Sequence, residues 1–179
     1  MRLLYLWVCP LAATVLLGGC DPGPEYSGAL KDGKPHGQGT LTWPDGKKYI
    51  GEFRDGERHG LGETTWPDGQ KYVGEWQSDK RHGRGTMTWS SGEKYSGGFV
   101  NGKRSGHGAL AFRDGTTYEG EFRAGKPDGK GMFTYANGGR YPTEYKDGKL
   151  IEDEAGSGLL SRLNLIPNLN LLLIDPSGL

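Results

Sequence analysis

His36, His59 and His82 recur at intervals of 23 residues, and Glu52, Glu75, Glu121 and Glu144 keep the same register. These imidazoles and carboxylates are the first groups to test for chemistry. Histidines in series suggest a metal site. If they occupy equivalent places in successive hairpins of a sheet, strands about 4.8 Å apart separate them by roughly 10 Å. Zinc holds its nitrogens at about 2 Å, so they cannot share an ion, and a turn-stabilising surface role suits them better. Carboxylates at that spacing approach the separation of an inverting glycosidase pair. These glutamates recur, however, because the chain recurs, and Lys48 and Lys71 fall on the same strand faces to pair with them. Gly83-Arg84-Gly85 supplies two glycines of a nucleotide-binding pattern without the third glycine or the helix that must follow. The sequence contains no Walker motif, His-Glu-x-x-His or Gly-x-Ser-x-Gly. The expectation is a binding protein with no catalytic residues, no metal and no cofactor.

Two sets of residues could bind. Trp43, Trp66 and Trp89 recur in register and could meet a protein partner or stack on the sugar rings of an envelope glycan. Arg58, Lys80, Arg81, Arg84, Lys103 and Arg104 cluster near the hairpin loops. If units stack in register, these six form a stripe along one edge, able to meet acidic phospholipid at about 1 kcal/mol per basic residue. The competing reading is a solvated edge that blocks sheet-to-sheet aggregation. Residues 21–150 hold 20 basic and 18 acidic residues, which favours the second reading. The whole chain has 22 of each, so no global field points to nucleic acid.

The elements that must position these groups follow from the period. Tyr26, Tyr49, Tyr72, Tyr95, Tyr118 and Tyr141 stand 23 residues apart, with glycine two places after the first five. Between Tyr26 and Leu150 there are 17 aromatic residues and only 10 Leu, Ile, Val and Met, so this region packs around rings. In Tyr49-Ile50-Gly51-Glu52-Phe53, Tyr49, Gly51 and Phe53 share one strand face and Ile50 and Glu52 the other. Asp55-Gly56 ends that strand, Gly60-Leu61-Gly62 leads into a second short strand, and Trp66-Pro67-Asp68-Gly69 reads as a type I turn. Each unit is a β-hairpin, marginal alone and stabilised by stacking on the next.

The pattern Tyr-x-Gly-Glu-Phe/Trp, Asp-Gly-x-Arg-His-Gly-x-Gly, Thr-x-Thr-Trp-Pro-Asp-Gly resembles the MORN repeat (membrane occupation and recognition nexus). The resemblance covers residues 26–148, in five full repeats and a partial sixth. It departs at Gly98, where Glu is expected, at Ser105, where His is expected, and at Thr143, where Gly is expected and the ladder is read to end. It implies an all-β fold, an elongated single-layer twisted antiparallel sheet of stacked hairpins. It further implies a scaffold or self-associating surface near a membrane, with acidic phospholipid as another ligand.

Residues 1–19 read as a signal peptide, with Arg2 before the apolar run Leu3–Leu17. Leu17-Gly18-Gly19-Cys20 resembles the lipobox of bacterial lipoproteins, which implies that Cys20 carries lipid and that 20–25 is a linker. The expected location is the cell envelope, periplasm-facing, and Asp21 resembles an inner-membrane retention signal. Residues 149–179 form a tail in which Leu159, Leu160, Leu163 and Ile166 suit a short capping helix, with a partner-docking or disordered tail as the alternative.

Overall fold

The computed structural model describes residues 23–151. Twelve strands follow in chain order: β1 (Glu25–Lys31), β2 (Lys34–Thr42), β3 (Lys48–Arg54), β4 (Glu57–Thr65), β5 (Lys71–Gln77) and β6 (Lys80–Thr88). Then come β7 (Lys94–Val100), β8 (Lys103–Ala111), β9 (Thr117–Arg123), β10 (Lys126–Thr134), β11 (Arg140–Lys146) and β12 (Lys149–Leu150). Each strand pairs only with its chain neighbours in one antiparallel sheet, and the described residues include no helix. The signal segment, Cys20, Asp21 and the expected capping helix lie outside the described residues.

Two turns alternate along the chain. The first is a two-residue hairpin loop in which both residues adopt left-handed backbone, as a type I′ turn requires: Asp55 at φ 53° and Gly56 at φ 97°. The second is the Pro-Asp-Gly loop. There the Gly69 N–H donates to the Trp66 carbonyl at 3.0 Å, and Asp68 Oδ1 accepts the Gln70 N–H at 2.9 Å.

The strand after the first turn is longer than its sequence suggests. Gly60 and Leu61 do not precede β4 but lie within it, as extra residues of a bulge: Gly51 pairs with Gly62, yet Glu52 pairs with His59. Gly60 sits at φ +59° to make this kink. Glu52 then folds over Gly60, and its Oε1 accepts the Leu61 N–H at 3.1 Å. Glu75 does the same for Arg84 N–H at 2.8 Å. The expected pairing of these glutamates with Lys48 and Lys71 is therefore replaced: a bulge exposes a backbone donor that a carboxylate satisfies better, and Lys71 Nζ pairs instead with Glu63 at 2.7 Å.

A row of glycines, one per strand from Gly28 in β1 to Gly131 in β10, runs directly across the sheet. The tyrosines lie flat on this row. A Cβ at Gly62 would come 2.5 Å from Cε2 of Tyr49, and one at Gly74 would come 2.5 Å from the Gly85 backbone. No other residue allows ring and backbone to meet so closely.

The ladder does not end at Thr143, as its departure from the repeat suggested. Thr143 pairs with Gly131 in a complete β11, and β12 adds a further rung at Tyr145–Leu150. A side chain is tolerated there because Tyr141 turns aside to meet Tyr135, at 5.3 Å between centroids, instead of lying down on the row.

Candidate functional site

On one face of the sheet the rings form an unbroken edge-to-face chain. Tyr49 meets Phe53 and Trp76, Tyr72 meets Trp76 and Phe99, Tyr95 meets Phe99 and Phe122, and Tyr118 meets Phe122 and Tyr145. Centroid separations of 5.1–5.8 Å with near-perpendicular planes are the favoured geometry for aromatic pairs. Each tyrosine thus touches the ring of its own repeat and that of the next. Tyr49, Tyr72, Tyr95 and Tyr118 are fully buried, although no second layer covers the sheet among the described residues. Burial raises the phenol pKa in every case, to about 12 for Tyr95 and Tyr145. Tyr49, Tyr72 and Tyr95 donate their hydroxyls to the carbonyls of Glu52, Glu75 and Gly98.

Arginine closes this face. Arg58 lies with its guanidinium 4.2 Å from the Trp76 centroid; its Nε donates to Asp79 Oδ1 at 2.8 Å and its Nη2 to the Asp79 carbonyl at 2.8 Å. Arg104 is wholly buried. Its Nε and Nη2 donate to the Gly125 carbonyl at 3.1 and 2.7 Å, and its guanidinium lies 5.1 Å from the Phe122 centroid. Arg81 sits between Tyr72 and Phe99. In return, the turn amides of Asp79, Gly102 and Gly125 donate to the carbonyls of Arg58, Arg81 and Arg104. Each arginine latches its repeat to the first turn of the next.

The six basic residues therefore do not make one stripe. Arg58, Arg81 and Arg104 point into the aromatic face, where they cannot reach a membrane surface. Lys80 and Lys103 are exposed beside the turns, and Arg84 lies exposed on the opposite face. The sequence did hold the signal: a two-residue turn at Asp55-Gly56 fixes Phe53 opposite Arg58, and directly opposed residues share a face.

Trp43, Trp66 and Trp89 are half-buried and packed against the aromatic core. Lys47 Nζ lies 4.4 Å from the Trp43 centroid and 5.9 Å from that of Trp66. Their register is as expected, and each is partly taken up in packing against the aromatic core of its own sheet.

The other face is open. Ile50, Leu61 and Val73 are 47, 64 and 44% exposed, and lie together on β3, β4 and β5 through the pairings Ile50–Glu63, Glu63–Val73 and Leu61–Glu75. Further along, β6 to β9 carry small residues, and an open groove of about 320 Å³ runs between Arg84, Thr86, Ser96, His107 and Glu119. The sequence pattern placed Ile50 on this face, and Leu61 joins it as the neighbour of Gly62, which belongs to the glycine row of the ring face. His36 pairs with Asp55 at 3.7 Å, and His59 and His82 stand opposite Glu52 and Glu75.

Against known proteins, a family model described as MORN repeat matches residues 26–48, 49–71, 72–94, 95–117 and 118–140. No curated protein matches the chain. Proteins built from this repeat are generally non-catalytic scaffolds, often associated with membranes.

Proposed function

We propose, from the premise that this chain belongs to the MORN repeat family, that it is a non-catalytic scaffold of the cell envelope whose open sheet face holds a protein partner or a second copy. The observation that carries this reading is the division of labour between the two faces. The aromatic face is consumed by its own rings and arginines, whereas Ile50, Leu61 and Val73 are left exposed together on the other. Three branched aliphatic side chains, with Glu63 standing between Ile50 and Val73 and with Lys48 and Lys71 at the flanks, have the make-up of a mixed apolar and charged contact. Cys20 supplies the anchor in this reading, and Asp21 favours the periplasmic side of the inner membrane. A glycan ligand on Trp43, Trp66 and Trp89 is less favoured, since those rings already pack against the core.

Acidic phospholipid is the competitor that a direct test separates. The segment 21–179, without the apolar run and Cys20, mixed with anionic and with neutral vesicles at low and at physiological salt, is expected to stay in the supernatant after sedimentation. Half of the proposed basic stripe faces inward, so too few cations remain to hold it. Salt-sensitive sedimentation with anionic vesicles alone would overturn the protein-scaffold reading in favour of a lipid-reading edge.

A further inference from the structure

On the open face, one row of residues from alternate strands meets a row of glutamates on the strands that follow. Gln38 stands opposite Glu52, Leu61 opposite Glu75, His107 opposite Glu121 and Lys130 opposite Glu144. The row contains one break. Arg84, the strongest cation in it, stands opposite Gly98, which has no side chain to offer. The Arg84 guanidinium has no hydrogen bond or ion pair among the described residues and is exposed. It borders the groove that crosses β6 to β9.

The molecule itself displays how a carboxylate is held on this face. In the second and third repeats, the glutamate side chain folds over the bulge glycine and takes a backbone N–H, at 3.1 Å from Leu61 and 2.8 Å from Arg84. In the fourth repeat, Gly106 has the same left-handed backbone at φ +69°, but nothing lies within 4 Å of where its Cβ would be. The glutamate has not simply been lost. A Cβ at Gly98 would run into the Ser105 carbonyl oxygen, so the backbone has closed into that place and excludes a side chain from within. A carboxylate that serves Arg84 must arrive from the groove.

We propose that this groove docks an acidic side chain of the partner protein, with its carboxylate paired to Arg84 on the groove side of Gly98, where the chain supplies no side chain of its own. The Thr86 and Ser96 hydroxyls line the approach, 3.2 Å from one another, and can accept or donate to a partner's backbone. Glu119 lies at the far rim, 3.8 Å from His107 Nε2. That negative charge directs the carboxylate to the Arg84 end and disfavours a polyanion spanning the groove. The proposal rests on the protein-binding reading above but depends on different residues, so the two can fail separately.

The test is nuclear magnetic resonance of the full chain in neutral detergent, isotope-labelled and titrated with acetyl-Gly-Glu-Gly-amide, with its Gln counterpart and with inorganic phosphate. The Glu peptide should shift the Arg84 Nε–H and the His107 backbone N–H, and the Gln peptide should leave both in place. Arg84→Gln should weaken the Glu peptide about two- to fivefold, the loss expected for an exposed ion pair. Arg84 is exposed, so resonances of the aromatic core should remain unmoved in that variant and vouch for its fold. Equal shifts from the Gln peptide, equal response in Arg84→Gln, or phosphate acting as well as the Glu peptide would each overturn the proposal. If the chain still captures a protein through Leu61 after such a result, the scaffold reading survives and only the carboxylate site is lost.

Discussion

Arg58 of the second repeat rests its guanidinium 4.2 Å from the ring centroid of Trp76 in the third, while hooking the turn at Asp79. A charge that would be costly to bury alone is held by a π face, a carbonyl and a carboxylate. Such latches explain how a single-layer sheet can bury its rings without a second layer. They also carry cooperativity from one hairpin to the next, which a one-dimensional array needs.

The latch at Arg104 is the most buried and should be the most sensitive. Arg104→Lys keeps the charge but loses the paired donation from Nε and Nη2 to Gly125. The expected cost is about 2–3 kcal/mol, read from chemical denaturation. Hydrogen exchange should quicken first in β9 and β10, beyond the broken link.

The tyrosine hydroxyls separate into two groups. Tyr72 donates to the Glu75 carbonyl, whereas the Tyr118 hydroxyl is buried with no hydrogen-bond partner among the described residues. Tyr72→Phe should therefore cost about 1 kcal/mol and Tyr118→Phe close to nothing, or stabilise slightly. Paired thermal or denaturant melts of the two variants check the difference.

Alkaline pH should unfold the array. Burial raises the pKa of Tyr95 and Tyr145 to about 12, and those of Tyr49, Tyr72 and Tyr118 also rise, above the ordinary value of 10. Between about pH 10 and 12 the unfolded chain releases phenol protons that the folded chain keeps, so stability falls as pH rises through that window. Below pH 10 both states are protonated and these groups contribute no slope. Ultraviolet titration of tyrosinate should show these five ionising late and together with loss of structure.

The glycine row gives a sharp contrast. Gly85→Ala places a Cβ 2.6 Å from Cε2 of Tyr72 and should cost several kcal/mol by prising the ring off the sheet. Gly69→Ala meets no atom within 4 Å and suffers only its φ of +87°, a strain of about 1–2 kcal/mol. Denaturant midpoints of the two proteins rank the effects.

Much of this architecture could be read from the chain. The interval of 23 residues placed every hairpin, and the alternation Tyr49, Gly51, Phe53 told which face holds the rings. What could not be read off by alternation was the bulge. Two extra residues at Gly60 and Leu61 shift the register of β4 against β3, so a side chain's cross-strand partner cannot be found by simple counting, although an insertion of two leaves the alternation of faces intact. Arg58 precedes the bulge, and its place among the rings follows from its pairing with Phe53 across the two-residue turn. Gly98 was visible as a departure from the repeat. Its meaning depended on Arg84 lying opposite, a cross-strand fact that no single repeat contains.

In the proposed reading, membrane attachment rests on Cys20, apart from the sheet. Cys20→Ala should move the protein from the membrane to the soluble fraction after cell fractionation, since acyl chains carry most of the binding energy of such an anchor. An unchanged distribution would remove Cys20 from the account and leave the sheet untouched.

The central claim is that partners meet the face opposite the rings. A photo-activatable cross-linking residue placed at Leu61, on that face, and in a parallel strain at Asp45, in an exposed loop, tests it in living cells. The expected result is a discrete protein adduct from position 61, of a partner or a second copy, and none from position 45. Irradiation that yields no protein adduct at 61, or the same adducts from both positions, would contradict it.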